Sequence, residues 1–387
     1  MFVRSLVMIS LIAALTAQVP SHVQTADYWG GYAGTKVVPA NQAAQWLSWV
    51  ETNASSSLKI LPFGVKTVAY SDPNRLQPSD AMYSQDESQY LHTCSGTRVR
   101  ASASYPGQVL TNPRSRALAS AWRTMVLRGG GNFTAVFADD AVGAAYAQDT
   151  PCNYSFDQWI QDELYLMQNV GLPVIYNGLG IFDGHAVSKV IALNAAAIGG
   201  MQESCYAQLG SVHSVGGWQW EATENTEIRM ADAGKYFFCY GRDLTLATQA
   251  YASRTYSYAS FLLTYDPRTS VLWEYYKTPT GAHVMPESQL VALNPVTGDV
   301  HDIAQLRQAK GSYVREYRTC YLAARSVGPC AAAVNSDAVS AHPVSLPGYS
   351  RTLVLSGSGV FDGGAVRITN QPPPAQLAPL QATIAFK

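Results

Sequence analysis

Thr134-Ala135-Val136-Phe137-Ala138-Asp139-Asp140 is an apolar run of strand-forming residues that stops abruptly at two carboxylates. A strand buried on both faces reads as a near-continuous apolar run. Packing does not ask for two acids at its end, because burying unpaired charge is costly. In a parallel α/β barrel the C-terminal strand ends carry the active site, so this stretch puts Asp139 and Asp140 at a catalytic rim. On a regular strand the two would point to opposite sides, and one would face the mouth unless the strand has already turned.

Ala197-Ile198-Gly199-Gly200-Met201-Gln202-Glu203 has the same form and also ends in an acid. Its glycines mark close backbone approach. Further strand signals are Asp27–Tyr32, Gly64–Tyr70, Gln108–Leu110, Pro173–Asn177, Tyr236–Tyr240 and Ser270–Glu274. Helical patterns fall between them: from Pro39 through Ala43, Trp46, Leu47 and Val50, then Ser115–Leu127, Asp157–Val170, His185–Ala196, Trp220–Ala233 and Leu246–Tyr265. Eight strands alternating with helices over about 250 residues define a (β/α)8 TIM barrel, expected over residues 27–283. A doubly wound sheet would announce itself with a glycine-rich phosphate loop, and Gly30-Gly31-Tyr32-Ala33-Gly34 lacks that spacing. Residues 284–387 change character. Short β runs at Tyr313–Tyr317, Ala331–Val334, Arg351–Leu355, Ala365–Thr369 and Gln381–Phe386 alternate with Gly, Pro and Asn clusters, Gly363-Gly364 being a hairpin turn, and predict a small all-β domain.

Arg4 followed by the apolar run Leu6–Ala17 reads as a signal peptide ending near residue 17, so the chain is expected to be secreted or periplasmic, with no span left after its removal. Six cysteines in an exported chain point to disulfides. Sequence alone leaves 15 pairings open; the one adopted is Cys94–Cys152, Cys205–Cys239 and Cys320–Cys330. Sequons occur at Asn53, Asn132 and Asn153. A formal net charge of −1 suggests no nucleic-acid partner.

Two carboxyl groups facing one cleft are the minimum for glycoside hydrolysis, one as general acid, the other as nucleophile or as base for water. Asp139 and Glu203 end strands two apart in the ring, and the pair is read with Glu203 as acid and Asp139 as nucleophile or base, Asp140 standing beside it. The structural alternatives are a cap or loop salt bridge for the aspartates, and an ion pair with an arginine such as Arg242 for Glu203. Tyr70, Asp72, Asn177, Tyr206, Arg242 and Glu274 fall at strand ends and are candidate substrate contacts. Trp218 and Trp220 are candidates for stacking on a sugar ring, or for a loop folded over the barrel. Glu224 and Glu227, with Arg229 and Asp232, read as a solvated helix face. No HxH, HExxH, GxSxG or Walker A spacing occurs, so neither a metal nor another cofactor is expected.

Val136-Phe137-Ala138-Asp139-Asp140, Pro173-Val174-Ile175-Tyr176-Asn177-Gly178 and Gly200-Met201-Gln202-Glu203-Ser204-Cys205-Tyr206, together with Ala259–Leu263 and the stretch from Tyr313-Val314-Arg315-Glu316-Tyr317 to Val334-Asn335, resemble glycoside-hydrolase-like TIM-barrel proteins of the hypothetical glycosyl hydrolase family numbered fifteen. The resemblance covers most of the mature chain. It implies a secreted barrel acting on a polysaccharide, with the family-type acids falling on Asp139 and Glu203; Ser204-Cys205-Tyr206 departs from the family pattern. The other reading is a non-catalytic barrel that binds glycan at the same cleft or serves the cell envelope.

Overall fold

The computed structural model describes residues 20–28, 39–53, 64–128, 133–180, 187–207, 214–241, 251–274, 280–309 and 311–387. The signal-peptide segment therefore lies outside the described residues. Eight parallel strands form one sheet: β1 Ala26–Tyr28, β2 Trp49–Asn53, β3 Lys66–Ser71, β4 Ala135–Ala138, β5 Val174–Asn177, β6 Ala197–Glu203, β7 Tyr236–Gly241 and β8 Ser270–Glu274. The ring closes through a parallel bridge between Thr25 and Leu272, whose N–H donates to the Gln24 carbonyl at 2.9 Å. With helices between strands, this is a TIM barrel carrying a C-terminal all-β part.

Two strand assignments change, and the changes cancel in the count. Trp49–Asn53 is a strand rather than the end of a helix; the helical segment after Pro39 is only Ala40–Ala43. Gln108–Leu110 is not in the barrel. Val109–Leu110 pairs antiparallel with Arg75–Leu76, inside the long excursion between β3 and the next helix. That excursion buries Leu76, Tyr90, Val99 and Leu110 in the main core. The disulfide Cys94–Cys152 ties it to the loop after β4.

The helices are α1 Arg116–Arg128, α2 Phe156–Asn169, α3 Gly217–Asp232 and α4 Tyr251–Thr264. In α1, Leu118, Ala119, Trp122 and Val126 form the buried stripe expected of a helix on a sheet. Ser155 caps α2 by accepting the Gln158 N–H, and Gly171 follows it in the left-handed conformation (φ 87°). Between β5 and β6 the expected helix over 185–196 reduces to Val187–Val190 and a 3-10 turn, Ile191–Ala195.

Alternation along the strands sends Trp49, Val68, Ala135, Phe137, Ile175, Met201, Phe238, Val271 and Trp273 into one interior cluster. The β6 glycines are required by contact. A Cβ on Gly199 would lie 2.5 Å from the Tyr236 carbonyl oxygen, and one on Gly200 would lie 2.7 Å from the Tyr176 ring.

The C-terminal part is a six-stranded antiparallel sheet of β9 Leu290–Pro295, β10 Tyr313–Leu322, β11 Arg325–Asn335, β12 Arg351–Ser356, β13 Ala365–Thr369 and β14 Gln381–Phe386, ordered β9-β10-β11-β14-β12-β13. β9 was not evident in the sequence. Gly363-Gly364 end an eight-residue connection, 357–364, between β12 and β13. Cys320 on β10 and Cys330 on β11 are bridged. The sheet covers α4, which is buried nearly all round. Arg315 Nη1 donates to the Leu263 carbonyl at 2.6 Å, and the Trp220 and Tyr313 rings meet at 4.7 Å. A fully buried Arg254–Glu287 ion pair pins α4 to the segment before β9.

That covering layer overturns the solvated reading of α3. Glu224 and Glu227 are fully buried. Thr264 Oγ1 donates to both, and Ser270 Oγ donates to Glu227 at 2.5 Å. Arg229 and Asp232 on the same helix are exposed.

Candidate active site

The inward positions nearest the C-terminal strand ends are polar. By the same alternation that buries the hydrophobic layers below, they are Glu51 on β2, Tyr70 on β3, Asp139 just past β4, Asn177 on β5 and Glu203 on β6.

Asp139 is firmly held. Its Oδ2 accepts from the Tyr70 hydroxyl at 2.7 Å, and its Oδ1 from Asn177 Nδ2 at 2.8 Å and from the Asp140 N–H at 2.9 Å. Its own N–H donates to the Ser71 carbonyl, and its carbonyl accepts from Asn74 Nδ2 at 2.9 Å. Burial and the neighbouring acids push the Tyr70 phenol well above its ordinary range, so it stays neutral and donates.

The strand has turned by the second acid. Asp140 adopts φ 51°, in the left-handed region, and its carboxylate pairs with Arg75. Both aspartates are thus at the rim, in different roles. Ser204, immediately after Glu203, is also left-handed at φ 56°. In each case the chain veers off directly after the acid, a backbone cost that persists only when the surroundings enforce it. The bridge between Cys205 and Cys239 of β7 stands next to Glu203.

Asp140, Asn177, Gly178 and Glu203, with Val142, Tyr146 and Gly180, line a cleft of about 180 Å³. That is below the usual range for drug-sized ligands, roughly 300–1,000 Å³, and suits a single ring. Segments 29–38, 54–63, 181–186, 208–213, 242–250 and 275–279, which follow β1, β2, β5, β6, β7 and β8, lie outside the described residues.

Asp72 sits behind the rim. Its Oδ1 accepts the N–H groups of Asn74 and Arg75, both at 3.0 Å. Burial, then the charge of Asp139, raise its carboxyl to about 8, against the opposing pull of Arg75. Asp72, Asp139 and Asp140 each bring one oxygen to within 4.8 Å of the others, a grouping able to hold a cation. Each carboxylate there is already engaged by a hydrogen bond or by Arg75, which supplies positive charge at that point. A hard cation would want six or more oxygen ligands.

Of the other candidates, Tyr206 lies away from the cleft, 1% exposed, its hydroxyl donating to Glu227 at 3.3 Å. Trp220 is structural too, buried with Nε1 donating to Ser260 Oγ at 2.8 Å. Trp218 is 64% exposed in the first turn of α3. Glu274 ends β8 beside Gly241; its side chain, and Arg242 entirely, lie outside the described residues.

Sequence reading missed Glu51, whose carboxyl is 5% exposed. Burial, then Asp139, Glu203 and Asp27 in that order, push it well above the carboxylate range. It also missed Glu163 on α2, fully buried behind the site and reached by Asn74 Nδ2 at 3.3 Å. The available signal for Glu51 was Trp49-Val50-Glu51-Thr52-Asn53 itself, a strand-forming run with an acid in phase with Trp49.

No protein-family model matches the chain, and no curated protein matches it. Among solved structures it is similar to Ega3 of Aspergillus fumigatus in complex with galactosamine (12% identity, 67% of this chain and 93% of that chain, TM-score 0.41). It is also similar to a GH30 endoxylanase from Clostridium papyrosolvens (12%, 95% and 97%, TM-score 0.42). A third is the GH36 α-galactosidase AgaA from Geobacillus stearothermophilus in complex with raffinose (10% identity, TM-score 0.42), where 95% of this chain spans 55% of the other. Superposition at that level carries no chemistry across, and the site stands on its own side chains.

Proposed function

We propose that this chain is an exported glycoside hydrolase that cleaves a polysaccharide with Asp139 and Glu203. The observation that supports the reading is the Asp139 carboxylate, clamped by Tyr70, Asn177 and the Asp140 N–H, two of those partners, Asn177 and Asp140, lining one cleft with Glu203. Both acids stand at inward positions towards the C-terminal ends of their strands, as Glu51 does on β2. In this reading Asp139 is nucleophile or base and Glu203 is the general acid on the leaving oxygen. Asp140 holds Arg75 at the rim, while Tyr70 and Asn177 fix the orientation of Asp139. Asp72 frames the rim, and Trp218 stands outside it, where a longer glycan would pass.

The family-fifteen-type resemblance accords with this assignment, and in this reading the barrel domain ends near residue 283. Export through the N-terminal segment accords with three disulfides, which persist in oxidising compartments. Among the described residues no helix is long and apolar enough to cross a membrane.

The test is release of reducing ends from a panel of neutral, acidic and amino polysaccharides by the full chain, by Asp139→Asn and by Glu203→Gln. An enzyme of this kind loses turnover by orders of magnitude in both variants with the fold retained. Full activity in either variant removes the pair. Glycan binding by the wild type without cleavage of any polymer gives a lectin-like barrel instead.

A further inference from the structure

The mouth contains a carboxyl group that the proposed chemistry does not use. Glu51 projects from β2 in phase with the interior residue Trp49, and it is 95% buried by its 5% exposure. Among the described residues its Oε2 has no hydrogen-bond partner. Removing one acceptor of a buried carboxyl from water without replacement costs about 1–3 kcal/mol or more. Such a group in a native structure calls for an explanation. A second inward-facing group of the upper barrel, Trp273 Nε1, is likewise buried and unpartnered. Glu51 thus offers an acceptor, and Trp273 a donor, that no described residue fills.

The charge around Glu51 says what kind of group would fill it. The titratable groups acting on it come from four strands or their ends: Asp27 on β1, Tyr70 on β3, Asp139 after β4 and Glu203 on β6. Of these, Asp27 is paired with His283 at 2.9 Å and Tyr70 stays a neutral phenol. Arg75 is committed to Asp140 and Asp72. A hydroxyl placed at Glu51 would complete one hydrogen bond and leave the crowding of acids as it was. An ammonium group carries three donors and no acceptor. It would meet Glu51 Oε2, and its charge would let Glu51 ionise.

We propose that the upper barrel interior at Glu51 is a subsite for the ammonium group of a free-amino sugar, so that the glycan bound here is a cationic, non-acetylated hexosamine polymer. This rests on the glycoside-hydrolase reading for what happens next, but not for the binding itself. An N-acetylated unit brings a neutral amide and a methyl group to a position lined by carboxyl oxygens, and is selected against on both counts. Because burial and the neighbouring acids favour the neutral form of Glu51, an arriving ammonium favours loss of its proton. Binding then strengthens as pH rises, until the sugar itself loses its charge.

The experiment is isothermal titration of the full chain with short oligomers of glucosamine and of galactosamine, their N-acetylated counterparts, and the neutral glucose and galactose oligomers. Each is run in two buffers of different ionisation heat. Free-amino oligomers are expected to bind about 30-fold or more tighter than acetylated ones, the factor that loss of one partner of a buried charge pair produces. They are also expected to release protons. Glu51→Gln, which has the shape and charge of the neutral acid, is expected to fold and to lose both the preference and the proton release.

Equal binding of amino and acetylated oligomers overturns the proposal, as does a preference that survives in Glu51→Gln. Calcium or magnesium binding that depends on Glu51, without any amine preference, overturns it in favour of a cation site. Cleavage of neutral polymers with no amine preference removes the subsite and leaves the hydrolase. Amine binding without cleavage of any polymer removes the hydrolase and leaves the subsite.

Discussion

Replacing Glu163 with glutamine should stabilise this protein at neutral pH and leave it unchanged in acid. Glu163 is fully buried on α2, with Asn74 Nδ2 on its Oε1 and, among the described residues, no partner on its Oε2. Burial raises its carboxyl from the usual 4.5 to about 8, and the Asn74 hydrogen bond opposes that only partly. A folded-state value above the unfolded one means the folded chain holds a proton that the unfolded chain gives up. The favourable contribution is therefore complete below pH 4.5 and is lost as pH rises towards 8, at about 1.4 kcal/mol per unit. Over the 2.5 units from 4.5 to neutrality this amounts to about 3 kcal/mol, and at about pH 5 to less than 1. Glutamine mimics the neutral acid and cannot ionise. The variant's advantage should grow from near zero at about pH 4.5 to about 3 kcal/mol at pH 7, levelling off past pH 8. Guanidinium unfolding followed by tryptophan fluorescence at a series of pH values reads the difference. A gap of constant size, or one that shrinks with rising pH, would refute the claim that Glu163 is buried as a neutral acid.

The clamp on Asp139 predicts that Tyr70→Phe, which deletes one donor without changing the ring, lowers kcat/KM by about 10- to 100-fold, the worth of a hydrogen bond to a charged group. Turnover equal to wild type on the polymer found by the polysaccharide panel would show that the contact does not orient the reacting carboxylate. In β6, Gly199→Ala should cost about 2–3 kcal/mol, because its Cβ would fall 2.5 Å from the Tyr236 backbone oxygen, whereas Gly241→Ala has open space and should be close to neutral. Equal chemical denaturation midpoints for the two would deny the close approach of β6 and β7.

The sequence disclosed the barrel where local pattern and tertiary role coincide. β4 and β6 are buried on both faces and end in acids, so an apolar run closed by a carboxylate was legible on its own. β2 was not, because its inward position near the mouth is Glu51, which breaks the apolar run. Trp46, Leu47 and Val50 also happen to keep helical spacing. Val109–Leu110 has the composition of a strand, but its partner is Arg75–Leu76, and composition does not name partners. Glu224 and Glu227 carry the surface signature of acids three apart on a helix, and only the sheet packed over α4 makes them interior. What stayed hidden in each case was the third layer or the neighbouring strand, a fact of tertiary structure that overrides local propensity.

The carboxyl groups of the upper barrel are one functional group in four environments, which in the proposed reading would let them divide labour. Asp139 has three donors, Asp140 has a guanidinium, Asp72 closes a turn, and Glu51 has an orphaned oxygen among like charges. Pairs of acids whose surroundings push them apart are the basis on which one site runs acid and base steps together. The same sorting bears on binding. A neutral glycan needs only hydroxyl partners, and Tyr70, Asn177 and Trp273 would be enough to supply them. A further buried acid among these carboxyl groups raises the cost of the empty site, and that cost is relieved by protonation or by a ligand that brings positive charge. Glu51 thus ties the specificity of the mouth to its chemistry: the group that makes the unliganded site electrostatically crowded is the one that a cationic substrate would relieve.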